Sequence, residues 1–167
     1  MVILGIDPGL NVTGYGVIEA CTERSRSAGG PRRVKLKEAG VIRTRPADGI
    51  SARLEKIYSN LSDVIREYKP KAIVLEKLYS HYKHPVTSIL MGHARGVACL
   101  VAGISGVKLI NYPSTRIKKA VTGSGHASKV QIQGMVRELL ALKDKPEPMD
   151  VADALACALT YVNMELR

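Results

Sequence analysis

The chain has 167 residues, of which 46% are hydrophobic and 24% charged, a composition typical of a folded globular protein. This length is sufficient for a substantial core, and we expect residues 1–167 to form a single domain. Lys and Arg number 25 against 15 Asp and Glu, giving a formal net charge of +10. Such a charge favours a polyanionic partner, nucleic acid ahead of an acidic membrane surface, over a merely solvated basic surface.

The first residues and the cysteines predict a cytoplasmic protein. The chain leads directly into an apolar run, without the basic segment and cleavage site of a signal peptide. No apolar run approaches the roughly 18 residues that a membrane span requires. Cys21, Cys99 and Cys157 are far apart and lack metal-ligand spacing, which predicts free thiols in a reducing compartment.

Hydrophobic patterns predict a mixed α/β order. The run 2–6 predicts a buried strand that ends at Asp7, because Pro8 and Gly9 stop strand pairing. Short connections between the early strands and helical crossovers between the later ones predict antiparallel, then parallel, pairing. Further strands are expected at 14–18, 34–42, 72–76 and 107–111, and helices at 50–68, 84–101, 114–121, around 132–140 and from 150 onward.

Small residues and a basic segment raise two further expectations. Gly14 and Gly16 leave room for another part of the protein, or a ligand, to approach the second strand. Gly92 and Gly96 allow another helix to pack closely, from the same chain or from a second subunit. The segment 21–33 is rich in Ser, Arg and Gly, and it predicts a long hairpin loop that either contacts phosphate or is solvated.

Four carboxylates occupy positions where they can meet. Asp7 and Glu76 end two strands that can be parallel neighbours, and Asp150 and Asp153 share one face at the start of the last helix. Each one alone is explained by a turn, a strand end or a helix dipole. Together they would repel unless a cation lay among them, and oxygen ligands favour Mg²⁺ or Mn²⁺. Because two such ions about 4 Å apart hydrolyse phosphodiesters, this set of residues predicts a nuclease.

Four motifs follow one another along the chain: GIDPG at 5–9 with TGYG at 13–16, EKLY at 76–79, YPSTRIKKAVTG at 112–123, and DVADALA at 150–156. In this order they resemble the RuvC family of Holliday-junction endonucleases, from residue 1 to about 162. The resemblance implies a ribonuclease-H-like fold, with a mixed five-stranded sheet flanked by helices. It implies a homodimer that makes paired symmetric nicks in four-way junction DNA during recombination and repair. It also implies magnesium dependence, with two Mg²⁺ ions per site that Mn²⁺ can replace, and a RuvA–RuvB branch-migration complex as partner.

The resemblance also assigns roles to individual residues. It implies that four carboxylates are the catalytic metal ligands: Asp7, Glu76, Asp150 and Asp153. Tyr79 falls where the family places an aromatic residue, commonly phenylalanine, that stacks on a base near the junction. Lys118 and Lys129 match basic residues implicated in DNA contact and catalysis, whereas without the resemblance they would be interpreted as solvated lysines.

Two other functions remain possible from the sequence. Phosphate-binding folds of the actin or sugar-kinase type also carry an Asp and glycines in the first strand and turn, but they duplicate the domain, for which 167 residues leave no room. A catalytically silent nucleic-acid-binding relative would keep the fold and lose the metal site. The presence of all four carboxylates argues against that alternative.

Overall fold

The computed structural model describes residues 1–21, 34–77 and 85–166, without the side chains of 85–87. The predicted order of strands and helices is confirmed there. The helix predicted at 84–101 continues to Ser105, and it ends before Gly106, whose φ of 64° suits a helix C-terminus. The elements are β1 (Val2–Asp7), β2 (Val12–Ala20), β3 (Val34–Arg43), α1 (Ile50–Tyr68), β4 (Ala72–Glu76), α2 (Pro85–Ser105), β5 (Lys108–Tyr112), α3 (Ser114–Thr122), α4 (Lys129–Leu139) and α5 (Met149–Glu165).

The five strands of the described chain form one mixed sheet, in the order β3-β2-β1-β4-β5. β1, β2 and β3 pair antiparallel, whereas β4 runs parallel to β1 and β5 parallel to β4. Ile6 of β1 is in register with Leu75 of β4. Because parallel strands end at the same edge, Asp7 and Glu76 therefore lie on neighbouring strands at one edge of the sheet.

Helices cover both faces of the sheet and bury two hydrophobic clusters. One cluster lies between the sheet and the helices α3, α4 and α5, and the other lies beneath α1 and α2. Every side chain of α5 from Val151 to Val162 is buried except that of Asp153. The sequence of α5 is apolar on all sides because this helix is packed against the sheet and two other helices. The three cysteines are free, as expected.

Glycines in β1 and β2 allow α5 to approach the sheet closely. A Cβ at Gly5 would lie 2.0 Å from the carbonyl oxygen of Ala154, and one at Gly14 would lie 2.1 Å from that of Asp150. At Gly16 a Cβ would meet the side chain of Leu155. The space predicted above β2 is therefore occupied by the helix that carries Asp150 and Asp153.

The helix α2 is long and apolar. Its residues Ser88–Ser105 have a mean hydropathy of 1.4, sufficient by length and composition for a membrane span. This result corrects the expectation that no apolar run approaches about 18 residues. The single charge of Arg95 does not lower the mean hydropathy of this stretch below that of a possible span. Core helices of globular proteins meet the same criterion, so the observation is weak evidence for a membrane.

Candidate active site

A cavity of about 660 Å³ opens at the edge of the sheet where β1 and β4 end. Carboxylates from three elements line it: Asp7 from β1, Glu76 from β4 and Asp153 from α5. Lys118 of α3 and Lys129 of α4 line the same cavity. The fold thus brings residues separated by up to about 150 positions in the sequence into one pocket that is both acidic and basic.

Two further residues were predicted to belong to the site, Asp150 and Tyr79. Asp150 does not line the cavity; it lies one helical turn before Asp153, and its backbone carbonyl packs against Gly14. Its charge nevertheless acts on Asp7, whose pKa it raises. Tyr79 and the basic segment 22–33 lie outside the described residues.

Two carboxyl groups of the cavity have raised pKa values, because burial disfavours their charged forms. Burial raises the pKa of Asp7 to about 7, and the charges of Asp153 and Asp150 add to this effect, which Lys129 opposes. Burial also raises the pKa of Glu76, against a hydrogen bond from Ser114 that lowers it. A buried carboxylate with a raised pKa marks a place where a cation would be bound favourably.

A lysine partly supplies that positive charge. Nζ of Lys129 donates to Oδ2 of Asp153 at 3.0 Å, and the Asp153 side chain is only 21% exposed. Lys129 is the first residue of α4, where the hydroxyl of Ser128 accepts from the backbone N–H of Gln131 and the Gln131 side chain accepts from the N–H of Ser128. This capping box sets the start of α4 and directs Lys129 toward the first turns of α5.

The donor set of the cavity suits a hard divalent cation, because it consists of carboxylate oxygens without a competing His or Cys cluster among the described residues. In residues 1–21, 34–77 and 85–166, no three Asp, Glu, His or Cys side chains converge closely enough to hold an ion as they stand. The chemistry of the site therefore fits a metal, while in this structure the ammonium of Lys129 bonds to one of its carboxylates, Asp153.

Comparison with known proteins identifies the family. Residues 3–161 match the family model for crossover junction endodeoxyribonuclease RuvC. The chain belongs to the RuvC family. A relative named crossover junction endodeoxyribonuclease RuvC from Rhodopirellula baltica is 51% identical over 157 residues, which are 94% of this chain and 83% of that protein.

Solved structures of RuvC agree with the fold. The structure of Thermus thermophilus RuvC superposes with a TM-score of 0.86 at 32% identity, covering 99% of this chain and 95% of that one. T. thermophilus RuvC in complex with a Holliday junction substrate gives a TM-score of 0.85 at 28% identity, with the same coverage. The predicted ribonuclease-H-like fold is thereby confirmed.

Two contacts of this RuvC-family site were missed by the sequence analysis. Ser114, at the start of α3, hydrogen-bonds to the Glu76 carboxylate. Nη1 of Arg95 donates to the backbone carbonyl of Glu76 at 2.6 Å. The sequence carried a signal for the second contact, because Arg95 is the only Asp, Glu, Lys or Arg between residues 85 and 105. A lone charge in an apolar helix must find polar partners.

Proposed function

We infer that this chain is a Holliday junction resolvase, an endonuclease that nicks four-way DNA junctions during homologous recombination and repair. The observation that carries the inference is the cavity that Asp7, Glu76 and Asp153 line together with two lysines, in a chain of the RuvC family. A relative with the same fold was solved with its Holliday junction substrate. The net charge of +10 suits a large polyanion.

We propose that the four carboxylates Asp7, Glu76, Asp150 and Asp153 hold the metal of this nuclease. The family implies metal dependence, and we propose Mg²⁺, two ions per site, with Mn²⁺ as a substitute. Such ions supply Lewis-acid chemistry to phosphodiester hydrolysis when they are bound. The raised pKa of Asp7 supports this assignment, because a cation relieves the cost of ionising a buried carboxyl group. Asp150 is included because its charge acts on Asp7, although its side chain does not line the cavity.

The lysines of the cavity would bind the DNA backbone. Lys129, which pairs with Asp153, and Lys118 both line the cavity and would place positive charge beside a bound phosphate. We further propose that Tyr79 stacks on a base near the junction, as the motif resemblance implies. Its place three residues after Glu76 in the sequence supports this role.

We propose that two copies of the chain, each one nuclease domain, act as a homodimer in the cytoplasm. Two equivalent cuts in a four-way junction require two active sites related by a two-fold axis. The helix α2 offers a surface for this contact, since Ile89, Leu100 and Ile104 are 60%, 55% and 65% exposed. Apart from neighbouring residues of α2, no atom of the described residues lies within 4 Å of where a Cβ would be at Gly92, Gly96 and Gly103 of α2, which suits close helix packing. A RuvA–RuvB complex remains the proposed partner for delivering the junction.

The proposed activity is tested on a synthetic four-way junction, beside a linear duplex and an RNA–DNA hybrid, with Mg²⁺ or EDTA. We expect paired nicks in the junction alone, and only with Mg²⁺. Asp153→Asn should abolish cleavage and keep junction binding. Asp144→Asn, which makes the same change at an exposed carboxylate outside the cavity, should cleave like the wild type. Junction binding without cleavage by the wild type would instead indicate a silent relative, and cleavage of the hybrid would contradict the proposed substrate.

A further inference from the structure

Arg95 connects the helix α2 to the end of the strand that carries Glu76. Its Nη1 donates to the carbonyl oxygen of Glu76 at 2.6 Å, and its Nη2 donates to Oδ1 of Asn111 on β5. The side chain is half-buried, and no carboxylate pairs with it among the described residues. One guanidinium thus joins α2, β4 and β5 at the edge of the sheet where the cavity opens.

The backbone of Glu76 needs such a contact because β4 ends there. The next residue, Lys77, donates its N–H to the carbonyl of Tyr112, the last residue of β5, at 2.8 Å. Arg95 satisfies the carbonyl on the opposite side of the same peptide group. The direction of the Cα–Cβ bond follows from the orientation of the backbone, so this pair of bonds fixes the point from which the Glu76 side chain extends toward the cavity.

A guanidinium is suited to this role because its planar fork holds two acceptors in fixed directions. The ammonium of a lysine would reach one acceptor and leave the other without a partner. Methionine has a similar length and would leave both acceptors unpaired. The side chain of Arg95 is itself held in place, since Ala94 and Ala98 on the same helix are completely or almost completely buried against the second hydrophobic cluster.

We propose that Arg95 is a positioning residue for Glu76, which it orients for metal binding and cleavage from outside the cavity. The proposal rests on the proposed function of the site, because it assigns Glu76 to the metal. Arg95 touches neither DNA nor the reacting atoms in this role; it acts through the peptide group of Glu76. Its loss should therefore weaken metal binding and slow the cleavage step without changing the affinity for junction DNA.

The test compares Arg95→Met and Arg95→Lys with the wild type. For each protein we would measure Mn²⁺ affinity by calorimetry, junction affinity in EDTA, the single-turnover cleavage rate at saturating enzyme, and the melting temperature. Second-sphere groups of metal sites typically contribute about 10- to 100-fold. We therefore expect Arg95→Met to reduce both Mn²⁺ affinity and cleavage rate by about that factor, with junction affinity changed less than about twofold. Arg95→Lys should recover part of both losses.

Val101→Ala is the matched control for general damage to α2. Val101 is buried on the same helix in the second hydrophobic cluster and has no part in the cavity. We expect this variant to melt at a lower temperature and to keep the Mn²⁺ affinity and cleavage rate of the wild type. Equal losses in Val101→Ala and Arg95→Met would overturn the proposal, as would an unchanged Mn²⁺ affinity in Arg95→Met.

Two other results are decisive. If Arg95→Met does not fold, Arg95→Lys decides alone, and wild-type metal affinity in that variant would overturn the proposal. If the wild type binds Mn²⁺ but cleaves no junction, the proposed function fails. The comparison of Mn²⁺ affinities between Arg95→Met and the wild type then still tests the role of Arg95.

Discussion

Asp7 is more costly to ionise in the folded chain than in the unfolded chain. Its pKa is raised from 3.8 to about 7, first by burial and then by its acidic neighbours. Between these two values the folded state holds a proton that the unfolded state has lost. The contribution of Asp7 to stability therefore falls as the pH rises from about 4 through 7. A shift of this size corresponds to about 4 kcal/mol, which is a large fraction of the stability of a small domain.

Replacing Asp7 with an uncharged residue should therefore stabilise the metal-free protein. We expect Asp7→Asn in EDTA to melt several degrees above the wild type at pH 8, with a smaller difference at pH 5, because the wild-type carboxyl group is protonated there. The same variant should not cleave junctions. Thermal unfolding followed by circular dichroism at pH 5, 6.5 and 8 measures the effect, with Asp144→Asn as the control. A shift that is the same at every pH would contradict the assignment.

At the scale of elements, the close approach of α5 to β2 determines how near the acidic residues of α5 lie to the sheet edge. A Cβ on residue 14 would lie only 2.1 Å from the carbonyl oxygen of Asp150. Because the obstacle is backbone, relief would require the whole first turn of α5 to move. Gly14 therefore sets the position of Asp150 and Asp153 relative to Asp7, which is the last residue of β1 and the register partner of Gly14.

Gly14→Ala should separate these carboxylates. We expect at least a tenfold loss of cleavage rate and a lower melting temperature, because the added methyl group displaces α5 from the sheet. Gly134→Ala is the matched control: Gly134 lies in α4 with open space around it, so the added methyl group should stabilise the helix slightly and leave cleavage unchanged. Cleavage rates and melting temperatures of both variants test this prediction. Full activity in Gly14→Ala would show that α5 tolerates the shift.

The sequence predicted those features that depend on local pattern and strand order. Asp7 and Glu76 were expected at one sheet edge because parallel strands end together, and the structure places them there. Gly14 indicated a close approach, but not that α5 makes it, because the packing partner of a strand is not encoded in local sequence. The ion pair of Lys129 with Asp153 joins residues 24 positions apart and depends on where two helices cross. The role of Tyr79 stays a prediction, since it lies outside the described residues.

At the scale of the whole molecule, the net charge of +10 makes association with DNA dependent on salt. Each phosphate contact releases counterions, so log K falls with log salt by about 0.9 per contact. With six contacts, we expect about a thousandfold loss of junction affinity between 50 and 200 mM salt. Lys118→Gln should reduce the slope by about one. Fluorescence anisotropy with a labelled junction in EDTA measures both, and affinity that does not change with salt would contradict the prediction.

The exposed apolar face of α2 provides a second test at this scale. If the chain forms the proposed homodimer, Leu100→Glu and Ile104→Glu together should convert it into a monomer, because two buried charges in each copy would oppose association. Paired nicks should then become independent single nicks. Ile50→Glu places a charge at an exposed apolar residue of α1 and should leave the dimer intact. Analytical ultracentrifugation distinguishes these results, and an unchanged sedimentation coefficient in the double variant would exclude α2 from the interface.

The burial of α5 also determines how the protein should lose activity on heating. Its buried residues extend over almost the whole helix, and its first turns carry Asp150 and Asp153. A helix packed in this way opens only when the rest of the domain opens, so its amide hydrogens should exchange with deuterium as slowly as any in the molecule. Thermal inactivation should then coincide with the global unfolding transition, so that the residual cleavage rate after heating reports the fraction of molecules that remain folded.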